Sequence, residues 1–172
     1  PGEVGSYPNG LAVLGDRLYL GADNDDGAGN ELRSYVMDPI FGDVPHTYWA
    51  NNQIEDLYEN GITGGCSASP LNYCPGQNVT RAQMAVFLLR GKHGSAYTPP
   101  AATGTVFADV PASYWAAAWI EQLYAEGITG GCGGGNYCPE APVTRDQMAV
   151  FLLKAEHGSA YIPPAPTGVF RD

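Results

Sequence analysis

The chain has 172 residues and a formal net charge of −10, with 8 Lys plus Arg against 18 Asp plus Glu. Binding to nucleic acid or to an anionic lipid surface runs through clustered cations, so this balance argues against both as partners. No apolar run approaches the length of a membrane span, yet 44% hydrophobic residues suffice for a real core in one domain or two small ones.

Residues 1–40 read as a β-strand segment. LAVLG, a GD turn and RLYLGA form two short strands joined tightly, and ELRSYVM is a candidate third after the loop DNDDGAGN. Asp23, Asp25 and Asp26 do not keep the alternate-residue ligand spacing of a calcium loop, so a polar hairpin loop is expected there. An isolated hairpin is marginal in water, so the segment is expected to pair with upstream chain or with the helical repeats.

From Phe41 the sequence repeats itself. FGDVPHTYWANNQIEDLYENGITGGC, NYCPGQNVTRAQMAVFLLR and HGSAYTPP return as FADVPASYWAAAWIEQLYAEGITGGC, NYCPEAPVTRDQMAVFLLK and HGSAYIPP. The units are 41–106 and 107–168, and 169–172 (VFRD) open a third. There is no initiator Met, so the chain reads as a fragment of a longer exported protein. Pro99–Pro100 and Pro163–Pro164 read as semi-rigid linkers.

Each unit predicts two helices. In the first, Trp49, Ile54, Leu57 and Tyr58 share a face, as do Trp115, Trp119, Ile120, Leu123 and Tyr124. Core packing is the default for Trp49 and Trp115, and Trp119 is either packing between repeats or a surface contact. Gly61 and Gly127 should end these helices in a left-handed conformation. Glu55, Asp56 and Glu121 then fall on a solvated face. The second helix opens with T-x-x-Q, which predicts capping boxes Thr80–Gln83 and Thr144–Gln147. MAVFLL is apolar nearly all round, so both copies should be surrounded, with Met84 and Met148 as core filler. Neither pair of helices buries its faces alone; neighbouring repeats must pack.

Cys66 with Cys74 and Cys132 with Cys138 are close in sequence and lack C-x-x-C spacing. Two local disulfides are the expectation, with free thiols or metal ligation as alternatives, and disulfides imply export to an oxidising place. Nothing groups His46, His93 or His157 with a nucleophile or metal site. Gly133-Gly134-Gly135 lacks the lysine and helix start of a phosphate cradle. A non-enzyme without cofactor or metal is therefore expected.

Arg81 and Arg145 each sit in the first turn of a second helix, where the backbone is already positive. Either an anion from outside meets each guanidinium, or Asp43 and Asp109 of the F-x-D-V turns pair with them internally.

The F-x-D-V opening, the Y-W-A helix, the G-I-T-G turn and the V-T-R-x-Q helix start, twice in the same order, resemble the S-layer homology family. The resemblance implies a mainly α fold of tandem helix-loop-helix repeats, typically three, packed as a pseudo-symmetric bundle behind the β-strand segment. It implies a non-catalytic anchor at the bacterial cell surface that binds acidic or pyruvylated cell-wall polysaccharide in grooves between repeats. On that resemblance Arg81 and Arg145 contact ligand, Trp49 and Trp115 stand beside the groove, and Gly64 and Gly130 are the turn glycines. Gln83 and Gln147 replace the family's usual acid, and Cys74 and Cys138 replace a frequent basic residue. Leu18-Tyr19-Leu20 and Gly29-Asn30-Glu31-Leu32 weakly resemble one blade of a secreted β-propeller. The alternative function is a self-assembling subunit of a surface layer or extracellular filament, with copies of itself or other layer subunits as partners.

Overall fold

The computed structural model describes residues 8–14, 17–22, 31–36 and 38–169, with side chains from Asp38 onward. β1 (Pro8–Leu14), β2 (Arg17–Ala22) and β3 (Glu31–Val36) form an antiparallel sheet in the order β1-β2-β3. The third strand is thus real. Leu18-Tyr19-Leu20 lies in β2 opposite Val13, Ala12 and Leu11. Asp23, Asp25 and Asp26, with Gly29 and Asn30, lie outside the described residues.

The rest is helical. Repeat 1 holds α1 (Asn51–Glu59), a two-stranded turn of β4 (Ser67–Ala68) and β5 (Leu71–Asn72), and α2 (Arg81–His93). Repeat 2 holds α3 (Ala117–Ala125) and α4 (Arg145–His157). No helix among the described residues is long and apolar enough to cross a membrane. α1 and α3 both end in a Schellman turn. Gly61 N–H donates to Tyr58 C=O and Ile62 N–H to Leu57 C=O, and Gly127 and Ile128 repeat this on Tyr124 and Leu123. The glycines take φ of 68° and 69°, and a Cβ on either would stand 2.7 or 2.6 Å from the Cβ of Ser95 or Ser159.

Both cysteine pairs are bonded, Cys66–Cys74 and Cys132–Cys138, with Cα atoms 5.9 and 6.0 Å apart. Each loop is also held from the F-x-D-V turn. Asp43 accepts from the amides of Tyr73 (2.8 Å) and Cys74 (2.7 Å), and Asp109 from those of Tyr137 and Cys138 (both 2.7 Å). Two amides converge on one carboxylate because Cys74 and Cys138 each adopt φ of 59°, a region L-residues rarely enter. The carboxylates expected as internal partners for the arginines are therefore committed to the backbone.

The core does not follow the repeat boundaries. α2 belongs to repeat 1 by sequence but packs on α3 and α4. Ala82, Met84, Ala85, Leu88 and Leu89 join Phe107, Val110, Ile120, Leu123, Ile128 and Tyr137 in one cluster. Repeat 1's own first half keeps only a small cluster of Phe41, Val44 and Ile54. The same sequence, MAVFLL, thus meets two fates. In α2, Leu89 is fully buried; in α4, Val150, Leu152 and Leu153 are 51%, 53% and 37% exposed. Periodicity predicts a surrounded helix in both places, but among the described residues only α2 has a first half of a following repeat to lie on.

Three other expectations are corrected. Trp49 and Trp115 are 85% and 61% exposed, because each precedes its helix and leans on a tyrosine, Tyr48 or Tyr114, rather than on the core. Glu121 is not simply solvated: it accepts from Thr103 N–H (2.8 Å) and Gly104 N–H (2.7 Å), clamping the linker that enters repeat 2. Glu55 likewise accepts from Ile40 N–H and the Asn51 side chain. Pro99 is buried, so that linker is partly core.

Leu89→Ala should cost about 3 kcal/mol in urea unfolding, since the side chain is fully buried and its removal leaves a cavity. The matching change in α4, Leu153→Ala, should cost less than about 1 kcal/mol. Equal losses would show that the two helices are equally enclosed.

Candidate functional site

The expectation that a helix start supplies free N–H groups fails at α2. Arg81 N–H donates to Ala141 C=O and Ala82 N–H to Pro139 C=O, while Gln83 N–H donates to the Thr80 hydroxyl. Thr80 N–H in turn donates to Gln83 Oε1, so the predicted capping box is complete. Residues 79–81 pair as a short antiparallel bridge with 141–143, the segment that leads into α4. Repeat 2 closes this helix mouth with its backbone, and the side chain of Arg81 is drawn in with it.

That side chain is 4% exposed and crosses from repeat 1 into repeat 2. Its Nε donates to Tyr137 C=O at 2.8 Å, and the Tyr137 hydroxyl donates back to Arg81 C=O at 2.8 Å. The guanidinium lies 4.8 Å from the Tyr137 ring centre and 5.4 Å from that of Phe151. Nη1 reaches Gln147 Oε1 at 3.4 Å, and Nη2 is buried without a hydrogen-bond partner. Burial pushes the Tyr137 phenol above its ordinary range, against the pull of the Arg81 charge, so it stays a neutral donor.

No carboxylate pairs with this guanidinium among the described residues. A buried cation without a counter-charge is costly, and an orphaned donor adds to the cost. The side chain forms one wall of a groove of about 530 Å³. The other walls are Thr129-Gly130-Gly131 of the G-I-T-G-G turn, the Cys132–Cys138 loop, Gln147, Lys154 and the carboxylate-bearing Asp146. Gly131, with φ of 87°, carries the steric demand of this turn: a Cβ there would fall 2.4 Å from Asn136 C=O. Gly130 meets nothing within 4 Å and leaves the groove open. Gly64 and Gly65 repeat this division in repeat 1, with Gly65 at φ of 77°.

The structure brings Arg81 and Gly130 together and leaves other candidates apart. Neither Trp49 nor Trp115 lines this groove. Arg145 is exposed on α4, and Gly64 sits on the repeat 1 turn. The predicted capping box Thr144–Gln147 does not form. Asp146 takes the Thr144 hydroxyl instead, a bond that holds its carboxyl below the ordinary range, and Gln147 is drawn toward Arg81. Tyr137 and Phe151 were not singled out as site residues; their signal was only their place beside the disulfide loop and on the apolar helix, while Gln147 stood out only as a cap and as the replacement for the family's acid.

At the far end of α2 a second clamp joins the repeats. His93 Nε2 is 2.8 Å from Glu126 Oε1, and Lys92 Nζ makes an ion-pair contact at 2.9 Å with Oε2. Burial acts to raise the Glu126 carboxyl, but bonds from Gln122, Lys92 and His93 outweigh it and hold it below the ordinary glutamate value. Trp119 is half-buried edge-on to Tyr97, with the Arg90 guanidinium 5.6 Å from its ring, so its role is packing between repeats.

Residues 106–149 match the model of the S-layer homology domain. An endoglucanase of Bacillus sp. (strain KSM-635) is 36% identical over 126 residues, which are 73% of this chain and 12% of that protein. An amylopullulanase of Thermoanaerobacterium thermosulfurigenes is 29% identical over 126 residues, 73% of this chain and 6% of that protein. A cell surface protein of Thermoanaerobacter kivui is 31% identical over 117 residues, 67% of this chain and 15% of that protein. The chain thus spans a small part of the length of each.

Because the Glu126 carboxyl titrates low in the folded chain, its stabilisation is full above the ordinary glutamate range and fades as pH falls through the depressed value. Glu126→Gln should lower Tm at neutral pH by an amount worth about 1 kcal/mol or less. The gap from the parent should close in acid; a gap that persists at low pH would deny the clamp its charge.

Proposed function

We propose that this chain, which carries an S-layer homology domain over residues 106–149, grips an acidic saccharide of the cell wall in the groove that Arg81 lines. Such a domain anchors proteins to the cell wall, is itself non-catalytic, and belongs to the cell envelope or the extracellular space. The finer reading, an acidic or pyruvate-bearing polysaccharide held between repeats, is supported above all by one observation. Arg81 is a buried guanidinium with an orphaned Nη2 and no carboxylate paired with it among the described residues, at the wall of an open groove.

The chemistry is recognition without turnover. A carboxylate or ketal oxygen entering the groove meets a fixed positive charge whose surroundings screen it poorly, so attraction there exceeds what an exposed lysine offers. Lys154 supplies a second positive charge, partly offset by Asp146 on the same lining. The bare Gly130 leaves room for a sugar ring against the turn, and Thr129 and Gln147 carry groups that can bond its hydroxyls. Arg81 is pinned through Nε, so its remaining edge is oriented before the ligand arrives and little entropy is lost on binding. Trp49 and Trp115, outside this groove, present exposed rings suited to stacking on further sugar units of a long polymer.

Gly130→Glu tests this without touching the core. The new side chain has free space but places a negative charge in the groove, so Tm should hold while binding to pyruvylated wall polysaccharide falls at least tenfold, about 1.4 kcal/mol. Arg81→Gln should show the same loss with helical content retained by circular dichroism. Undiminished binding by both variants would overturn the groove assignment.

A further inference from the structure

The two repeats place the same T-R-x-Q helix start in different states, and the difference lies at the groove. In α2, Gln83 Oε1 accepts from Thr80 N–H at 2.9 Å and Gln83 N–H donates to the Thr80 hydroxyl at 3.2 Å, so this glutamine is tied to its cap. In α4 the residue between arginine and glutamine is Asp146, where α2 has Ala82. The Asp146 carboxylate takes the Thr144 hydroxyl and the Gln147 amide, two groups that the box would otherwise join. The Gln147 side chain is thereby released from the helix end, and its Oε1 accepts from Arg81 Nη1 at 3.4 Å.

The kind of acceptor that reaches Arg81 decides what the groove can hold. An amide oxygen is a dipole: it satisfies a donor and orients the guanidinium plane, but leaves the positive charge standing. A carboxylate of the same length would form a charge-assisted pair and cancel most of that charge. On the groove lining, two cations, Arg81 and Lys154, face one carboxylate, Asp146. A second carboxylate in place of Gln147 would balance them. Tyr137, the titratable group stacked against the guanidinium, stays neutral because burial pushes its phenol up.

We propose that Gln147 is the specificity-determining residue of this groove: it holds Arg81 without discharging it, so a carboxylate-bearing sugar is preferred over the same sugar without the carboxylate. The ligand's anion takes the place that an internal acid would fill. The preference rests on the saccharide reading proposed above; the uncancelled charge on Arg81 does not. With glutamate in place of Gln147 the arginine would be paired before any ligand arrived, and an entering carboxylate would meet a like charge beside the opposite one. A neutral sugar would lose little, since its hydroxyls donate to a carboxylate oxygen as readily as to an amide oxygen.

Calorimetry with two probes tests it: pyruvylated wall polysaccharide, and the same polymer stripped of its ketals by mild acid. The parent chain should bind the pyruvylated polymer at least about tenfold more tightly. In Gln147→Glu that ratio should fall to about threefold or less at neutral pH, through weaker binding of the pyruvylated polymer alone. Gln147→Met keeps length and neutrality but loses the hydrogen bonds, so it should weaken both polymers alike and keep the ratio. A merely structural side chain would not separate the two variants in this way. The charge has its own readout without ligand. A glutamate beside Arg81 has its carboxyl held low, so the stabilisation it adds is full above the ordinary glutamate range and is lost as pH falls through the depressed value. Tm of Gln147→Glu should exceed the parent's by about 3 °C at neutral pH, and the excess should vanish in acid. A Tm that does not rise shows Arg81 already compensated and overturns the proposal. A glutamate variant that keeps the parent's ratio, a methionine variant that loses it, or a parent that binds both polymers equally overturns it too, and leaves the anchoring reading standing. A parent that binds neither polymer sinks the proposal together with that reading.

Discussion

Everything in the helical part depends on one act of burial: α2, made by repeat 1, is the helix that completes the core of repeat 2. Ile120, Leu123 and Ile128 share one buried cluster with Met84, Leu88 and Leu89 of that helix. At roughly 2 kcal/mol for each large side chain removed from water, this one interface outweighs the polar contacts around it. Arg81 is carried into repeat 2 by that packing. Its tether to Tyr137 C=O and the bridge of 79–81 with 141–143 then fix its place to within hydrogen-bond tolerance. The groove is thus a by-product of how the repeats share a core, and its arginine comes from one unit while its turn comes from the next.

Local rules carried far in the sequence. The Schellman glycines, the Thr80–Gln83 box, both local disulfides, the three strands and the mainly α class were legible, because each is decided by residues within a few positions of one another. What was not legible required knowing who sits opposite. Thr144–Gln147 reads as the same box as Thr80–Gln83, yet Gln147 faces Arg81 and its partner does not. MAVFLL reads alike in α2 and α4, though only one copy is covered. Trp49 and Trp115 lie on the helical wheel of their neighbours, but the helices begin two residues later and the rings swing outward.

The arginine question shows the same limit. Residue type alone left two partners open, an external anion or an aspartate of the F-x-D-V turn. The aspartates turn out to be occupied by the amides of Tyr73, Cys74, Tyr137 and Cys138, a task invisible without the left-handed cysteines that aim two N–H groups at one carboxylate. In a G-G pair, sequence cannot say which member takes positive φ, and here it is Gly65 and Gly131, leaving Gly64 and Gly130 with open space.

The crossing of α2 between units has a mechanical side. A load drawn along the chain reaches repeat 2 through a helix embedded broadside in that repeat, where several buried side chains must move together. Glu121 holds the following linker by its amides, so the tug cannot bypass the helix through slack. Units joined like dovetailed timber share strain through the core they have in common.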